Sequence, residues 1–126
     1  MLSPESVVTA FVAEFAAPHP DVEHLLGYFA PDAVYHNMPS HPAIGLDAIR
    51  QTLAGFVGRM ESAGWEVVNQ LAAGDIVMNE RVDRFKVPGK EIVLPVAGVF
   101  RVRDGKIVEW RDYFDMATWQ KQAAGT

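Results

Sequence analysis

The spacing of apolar residues changes along the chain. In most of the first half they recur at the i, i+3, i+4 spacing of an amphipathic helix, and from Trp65 onward they alternate with polar residues, as in strands. Helices followed by a run of hairpin-connected strands are typical of an α+β domain. The 126 residues contain no repeat or low-complexity segment, so we expect one domain over residues 1–126.

Three helices and one short strand are predicted in the first half. Ser3, Pro4 and Glu5 combine an N-cap residue, a proline at the first helical position and an acidic residue in the first turn. Prolines at positions 18 and 20 end this helix, and residues 39–44 form a loop with two prolines. The other predicted elements are a helix over residues 22–29, a strand over 33–38 and a helix over 46–61.

Four strands and a terminal helix are predicted in the second half. The strands cover residues 65–72, 76–87, 91–103 and 106–114, and the helix covers 115–123. Asp104-Gly105 is a strong hairpin signal, and the turns at 73–75 and 88–89 also contain glycine. If this mostly antiparallel sheet curves strongly and the helices pack on one face, the domain forms a cone with an internal pocket at its mouth.

Composition excludes several classes of protein and of site. The formal net charge of −5 argues against a surface that binds nucleic acid, because such surfaces are basic. Without cysteine the chain has no disulfide, thiolate metal site or cysteine nucleophile. No apolar run approaches the roughly 18 residues of a membrane span, and the N-terminal segment lacks the basic start of a signal peptide. We therefore expect a cytoplasmic protein with no membrane partner.

Charged residues occur on strand faces that also carry large apolar side chains. Arg81 and Asp83 alternate with Phe85, and Asp112 shares a strand face with Trp110. A solvated face does not usually carry such aromatic residues, so we expect these charges to point inward. Buried charges need partners, and the planar fork of one guanidinium can bridge two carboxylates.

Two interpretations of these charges stay open on the pattern alone. Networks of arginine and aspartate can serve stability only, or they can carry acid–base chemistry. Tyr35 and Asn37 share one face of another predicted strand and add two hydrogen-bonding groups. No His-x-x-x-His or Glu-x-x-His spacing occurs, so no metal site is expected.

Several segments together resemble the limonene-1,2-epoxide hydrolase family, and the resemblance runs from about Phe11 to Trp119. It implies the nuclear transport factor 2-like cone and an enzyme that opens epoxides with water in one step, without a covalent intermediate or a cofactor. The segments are, in order, YHNMP (35–39), GLDAIRQTLAGF (45–56), ERVD (80–83), GVF (98–100) and DGKIVEWRDYFD (104–115).

The resemblance also implies a role for each inward polar residue. Asp112 is the expected base that takes a proton from the attacking water, and Asp83 is the expected acid that protonates the leaving oxygen. Arg81 bridges the two carboxylates, while Tyr35 and Asn37 position the water. An acid of this kind must hold its proton far above the ordinary aspartate pKa of about 3.9.

The expected substrate is a small apolar epoxide, limonene oxide-like or cyclic. A pocket for such a molecule is mostly apolar. We also expect a homodimer that packs sheet on sheet, because an open sheet leaves an exposed edge or face, and the resemblance points the same way. The residues predicted to line the substrate-binding pocket are Phe15, Phe56, Met60, Phe85, Leu94, Val96, Phe114 and Trp119.

Two other functions are compatible with the same predicted fold. One is an isomerase or cyclase of the ketosteroid isomerase or polyketide cyclase type, and the other is a non-catalytic module that binds a small molecule. An isomerase site needs a base and an oxyanion donor but has no need of an arginine shared between two carboxylates. Arg81 between Asp83 and Asp112 is therefore the feature that separates the hydrolase from its rivals.

Overall fold

The α+β class predicted from the sequence is confirmed by the computed structural model, which describes residues 2–124. Across those residues, no helix combines the length and the apolarity that a membrane crossing takes. The elements are α1 (Pro4–Ala13), a 3-10 helix (Glu14–Ala16), α2 (Val22–Leu26), β1 (Phe29–Asn37), β2 (Ala43–Ile44), α3 (Leu46–Val57), β3 (Glu61–Ala73), β4 (Ile76–Val87), β5 (Lys90–Arg103), β6 (Lys106–Tyr113) and α4 (Met116–Ala123).

Six strands form one curved, open sheet in the order β2-β1-β6-β5-β4-β3. Neighbouring strands are antiparallel except for β1 and β6, which run parallel. The parallel pair joins a strand from the helical half of the chain to the last strand of the meander. Its register aligns Tyr35 with Trp110 and Asn37 with Asp112, so it brings two distant polar segments together.

The core lies between the inner face of the sheet and the helices, with α1 crossing over β3, β4, β5 and β6. Ser3 caps α1 as predicted, because its side chain accepts a hydrogen bond from the backbone N–H of Ser6. Phe11 of α1 is fully buried, and its ring meets those of Trp110 and Phe29 edge-on at 5.0 and 5.4 Å. This aromatic cluster packs α1 against β1 and β6, and Trp110 in the cluster also contacts the inward Asp112.

Two predicted helices were too long at their C-terminal ends. The helix predicted over residues 22–29 ends at Leu26, because Gly27 caps it and Phe29 already pairs with Ile107 of β6. The helix predicted over residues 46–61 ends at Val57, and Glu61 begins β3. Apolar residues beyond each helix continued the helical period by chance, so spacing alone extended the predicted bounds.

Irregular features of β5 and β6 shape the faces of the sheet. Pro95 pairs with Val82 of β4 beyond the last pair between β5 and β6, so it lies where β5 has only one neighbour, as its residue type predicts. In β6 the register shifts by one residue at Val108. This bulge buries Ile107 in the core with Trp110, whereas strict strand alternation would place Val108 on the face of Trp110.

Candidate active site

The inward polar residues come from three strands of the sheet. Arg81 and Asp83 lie on β4, Asp112 lies on β6, and Tyr35 and Asn37 lie on β1. Strand alternation directs all five toward the covered face, and the sheet order places β5 between β4 and β6. Arg81 therefore reaches across one whole strand to meet Asp112.

The guanidinium of Arg81 uses all five of its N–H donors on protein acceptors. Nε donates to Asp83 Oδ1 at 3.0 Å, and Nη2 donates to Asp83 Oδ2 at 2.9 Å and Asp112 Oδ2 at 2.8 Å. Nη1 donates to Asp112 Oδ1 at 3.2 Å and to Asn79 Oδ1 at 3.0 Å. Since no N–H is left for another molecule, Arg81 acts on the two carboxylates and not directly on a ligand.

Asp112 receives a further hydrogen bond that Asp83 lacks in the described chain. Trp110 Nε1 donates to Asp112 Oδ1 at 2.7 Å. The ring of Tyr35 stacks on that of Trp110 at 3.9 Å, and the Tyr35 hydroxyl donates to Asn37 Oδ1 at 3.2 Å. Tyr35 and Asn37 are thus held in place beside the carboxylate of Asp112.

Burial dominates the electrostatics of these groups. The side chains of Arg81, Asp83 and Asp112 are 0%, 4% and 5% exposed. Burial and the negative Asp112 raise the pKa of Asp83 to about 6, against the opposing charge and hydrogen bonds of Arg81. Burial lowers the pKa of Arg81, but the two carboxylates outweigh it and raise that pKa overall, so the guanidinium stays charged.

Tyr35 is also held in one protonation state. Burial, followed by the charge of Asp112, raises the pKa of Tyr35 far above its ordinary value of 10.0. Its hydroxyl therefore remains a neutral hydrogen-bond donor and acceptor at any useful pH. Within residues 2–124, no three histidines or acidic side chains converge in a way that could hold a metal ion.

A cavity of about 200 Å³ opens onto this polar cluster. Its polar end is formed by Tyr35, Asn37, Asp83 and Asp112, and most of its remaining wall is apolar. Five of the eight residues predicted to line a substrate pocket contact it: Phe56, Leu94, Val96, Phe114 and Trp119.

The other three predicted residues, Phe15, Met60 and Phe85, are buried and do not line the cavity. Phe15 stacks on Trp65 with 3.6 Å between ring centroids, and Phe85 meets Trp119 edge-on at 6.1 Å. Met60 is buried in the core next to the start of β3. All three belong to the hydrophobic core, and the rings of Phe15 and Phe85 contact Trp65 and Trp119, which do line the cavity.

Sequence reasoning missed several residues of the site. Trp65 lines the cavity, pairs with Asp83 across β3 and β4, and has Arg81 Cζ 5.0 Å from its ring centroid. Asn79 shares the strand parity of Arg81 and Asp83, so the same alternation could have found it. Ser40 and Met116 line the cavity from a loop and from α4, where alternation gives no direction.

Removing the guanidinium should destabilise the fold strongly. Arg81→Ala leaves two buried carboxylates without their shared partner, and we expect it to lower the free energy of unfolding by about 3–5 kcal/mol in urea denaturation. The matched control is Arg84→Ala on the same strand, whose exposed ion pair with Glu66 should cost less than about 1 kcal/mol. Equal stability of the two variants would contradict the network's structural role.

Comparison with known proteins finds a family model and a curated relative that match this chain. Residues 8–110 match the model of the SnoaL-like domain family. Epoxide hydrolase EphG of Mycobacterium tuberculosis is 37% identical over 90 residues, which cover 68% of this chain but only 56% of that protein. This match therefore spans little more than half of the relative's length.

Solved structures share the whole fold. An LEH-like epoxide hydrolase of M. tuberculosis superposes with a TM-score of 0.79 at 29% identity, over 94% of this chain and 86% of that chain. A protein of ketosteroid isomerase-like fold from Catenulispora acidiphila superposes with a TM-score of 0.80 at 23% identity, over 98% and 95% of the chains, and shows the fold alone. The resemblance to epoxide hydrolases inferred from the sequence is confirmed, and the chain belongs to the SnoaL-like domain family.

Proposed function

We propose that this protein hydrolyses a small apolar epoxide to a vicinal diol by direct attack of water, with residues 1–126 acting as one epoxide hydrolase-like domain. The observation that carries the proposal is one buried guanidinium shared by two carboxylates that both border an apolar cavity. The 37% sequence identity with an epoxide hydrolase, over 68% of this chain, supports the reaction class. The reaction needs no cofactor, because the strained ring supplies the leaving group.

The ring opens in one balanced step. The oxygen of water forms a bond to one ring carbon while the bond between that carbon and the ring oxygen breaks. Asp112 takes a proton from the water, and Asp83 gives its proton to the departing oxygen. The product is a neutral diol, and the site is reset when the proton gained by Asp112 returns to Asp83.

The contacts support this division of labour between the two aspartates. Asp112 accepts three hydrogen bonds and Asp83 accepts two, which favours negative charge on Asp112. Asp112 Oδ2 accepts only from Arg81 among the described residues, so it keeps a lone pair for the proton of water. A carboxyl with a pKa of about 6, as Asp83 has, is about one-tenth protonated at pH 7 and supplies the acid.

Tyr35 and Asn37 position the attacking water in this proposal. The Tyr35 hydroxyl donates to Asn37 Oδ1 and fixes the amide, and because Asn37 lines the cavity we propose that its Nδ2 donates to the water there. A water held by Nδ2 can donate its own proton to Asp112, whose backbone pairs with Asn37 between β1 and β6. Restricting the water to this geometry reduces the entropy lost on reaching the transition state.

The volume of the cavity suggests the size of the substrate. The cavity volume of about 200 Å³ is smaller than the roughly 300–1,000 Å³ of pockets for drug-sized ligands, so we propose a limonene oxide-like or smaller cyclic epoxide.

Apolar side chains on the strands remain exposed, including Leu71 at 78% and Met78 at 53%. These residues support the proposal of a homodimer that packs sheet on sheet.

The rival functions account less well for the polar cluster. An isomerase needs a base and an oxyanion donor, roles that Asp112 and a protonated Asp83 can fill without a guanidinium shared between them. For a non-catalytic binding module, burying three charged groups beside an apolar cavity costs desolvation free energy without a benefit to binding. The shared guanidinium thus favours the hydrolase.

The proposal predicts diols from epoxides. Purified protein incubated with limonene oxide, cyclohexene oxide and styrene oxide should form the vicinal diol of at least one, measured by gas chromatography. Asp83→Asn and Asp112→Asn keep the side-chain shape but cannot exchange the protons, so each should reduce turnover by a factor of roughly 100 or more. Asp32→Asn, at an exposed aspartate, is the matched control and should retain wild-type turnover.

Diol formation that continues unchanged in either site variant would remove that carboxylate from the chemistry. Turnover of an enone or ketosteroid isomerisation substrate, with no diol from any epoxide, would favour the isomerase instead.

The raised pKa of Asp83 predicts a pH dependence. An acid that must be protonated is present below its pKa, so kcat/KM should fall by about tenfold per pH unit as the pH rises above about 6. The measurement is kcat/KM between pH 5 and 8, with the rate of spontaneous hydrolysis subtracted at each pH. A profile that is flat across this range would show that Asp83 does not supply the proton.

A further inference from the structure

Gly98 of β5 lies at the point where the polar network crosses the sheet. It pairs with Asn79 of β4 on one side and with Asp112 of β6 on the other. A Cβ atom at this position would lie 2.4 Å from Arg81 Nη1, 2.8 Å from Asn79 Oδ1 and 2.9 Å from Asp112 Oδ1. All three distances are below the 3.0 Å that real Cβ atoms essentially never cross, so a side chain here collides with the network.

The reason for glycine at this position is space and not backbone conformation. Among the described residues, Gly98 is not one of the glycines with a positive φ, so alanine can adopt its backbone conformation without strain. In contrast, the buried groups around it cannot move away freely. Asn79 is 4% exposed, and the side chain of Arg81 is fully buried between two carboxylates.

Asn79 accepts a hydrogen bond from the one N–H group of Arg81 that does not donate to a carboxylate. Its Oδ1 accepts from Arg81 Nη1 at 3.0 Å, and its Nδ2 donates to Gln70 Oε1 of β3 at 3.2 Å. Gln70 Nε2 in turn donates to Thr9 Oγ1 of α1 at 2.9 Å. The guanidinium is therefore anchored from behind by a chain of hydrogen bonds that ends on a helix.

We propose that Gly98 and Asn79 are positioning residues: Gly98 leaves the space through which Arg81 reaches Asp112, and Asn79 fixes the guanidinium at the angle that serves both carboxylates. Their effect on turnover rests on the proposed function. Their effect on the network does not, because the contacts of Arg81 with Asp83 and Asp112 can be measured without a substrate.

The first test compares two glycines that differ in their surroundings. Gly98→Ala should reduce kcat for epoxide hydrolysis by a factor of about 100, since misplacing catalytic groups by about 1 Å has this effect, while KM changes little. Gly55→Ala in α3 is the matched control, because its added Cβ meets no heavy atom within 4 Å beyond its chain neighbours and its own helix backbone, and its φ is also not positive. It should leave kcat unchanged.

The second test needs no turnover. The ¹³C carboxyl resonance of Asp83 is titrated by NMR in wild type, Gly98→Ala and Asn79→Ala. Because Arg81 holds the pKa of Asp83 down against burial, displacing the guanidinium should raise that pKa in both variants. Asn69→Ala, at an exposed asparagine of β3, should leave the titration unchanged.

The outcomes separate this inference from the proposed function. A raised Asp83 pKa in the variants supports the positioning role even if no epoxide is hydrolysed, a result that would refute only the proposed function. If Gly98→Ala does not fold, Asn79→Ala alone decides. Unchanged titration of Asp83 in every folded variant would overturn the inference.

Discussion

The rest of the structure depends on burying one guanidinium and two carboxylates, away from water, at the polar end of an apolar cavity. Unpaired charge at such a depth costs several kcal/mol, so the fold has to supply a partner for every donor of Arg81. It does so with two strands, and the strand between them contributes only a glycine where the side chains meet. Two carboxylates and one guanidinium leave one negative charge in excess, and burial together with this charge raises the pKa of Asp83 to about 6, so Asp83 binds a proton more readily than an ordinary aspartate.

This constraint links stability to chemistry. If two carboxyl groups serve as proton donor and proton acceptor, as proposed for this site, they must be held in different protonation states. Here both share Arg81, but only Asp112 also accepts the indole N–H of Trp110. The difference comes from Trp110 and its stacked neighbour Tyr35, so the aromatic core that holds α1 to the sheet also distinguishes the two aspartates.

Much of the fold and the inward polar set could be predicted from sequence, because strand alternation is a local property. Apolar residues of the same strand parity surround Arg81, Asp83 and Asp112, and this pattern was enough to predict that the three side chains are buried. The role of Gly98 depends instead on the order of strands in the sheet, which no local pattern encodes. Phe15 was predicted to line the pocket, but in the structure its ring stacks on Trp65. No local sequence pattern gives such a tertiary contact.

The most direct test of the account is a single turnover in ¹⁸O-labelled water, with the protein in excess over the epoxide and the diol analysed by mass spectrometry. If Asp112 acts as a base and water attacks the ring, the diol of the first turnover carries one ¹⁸O atom. If Asp112 instead attacked the ring and formed an ester, the first diol would carry an oxygen from the carboxylate. An unlabelled first-turnover diol would therefore contradict the account.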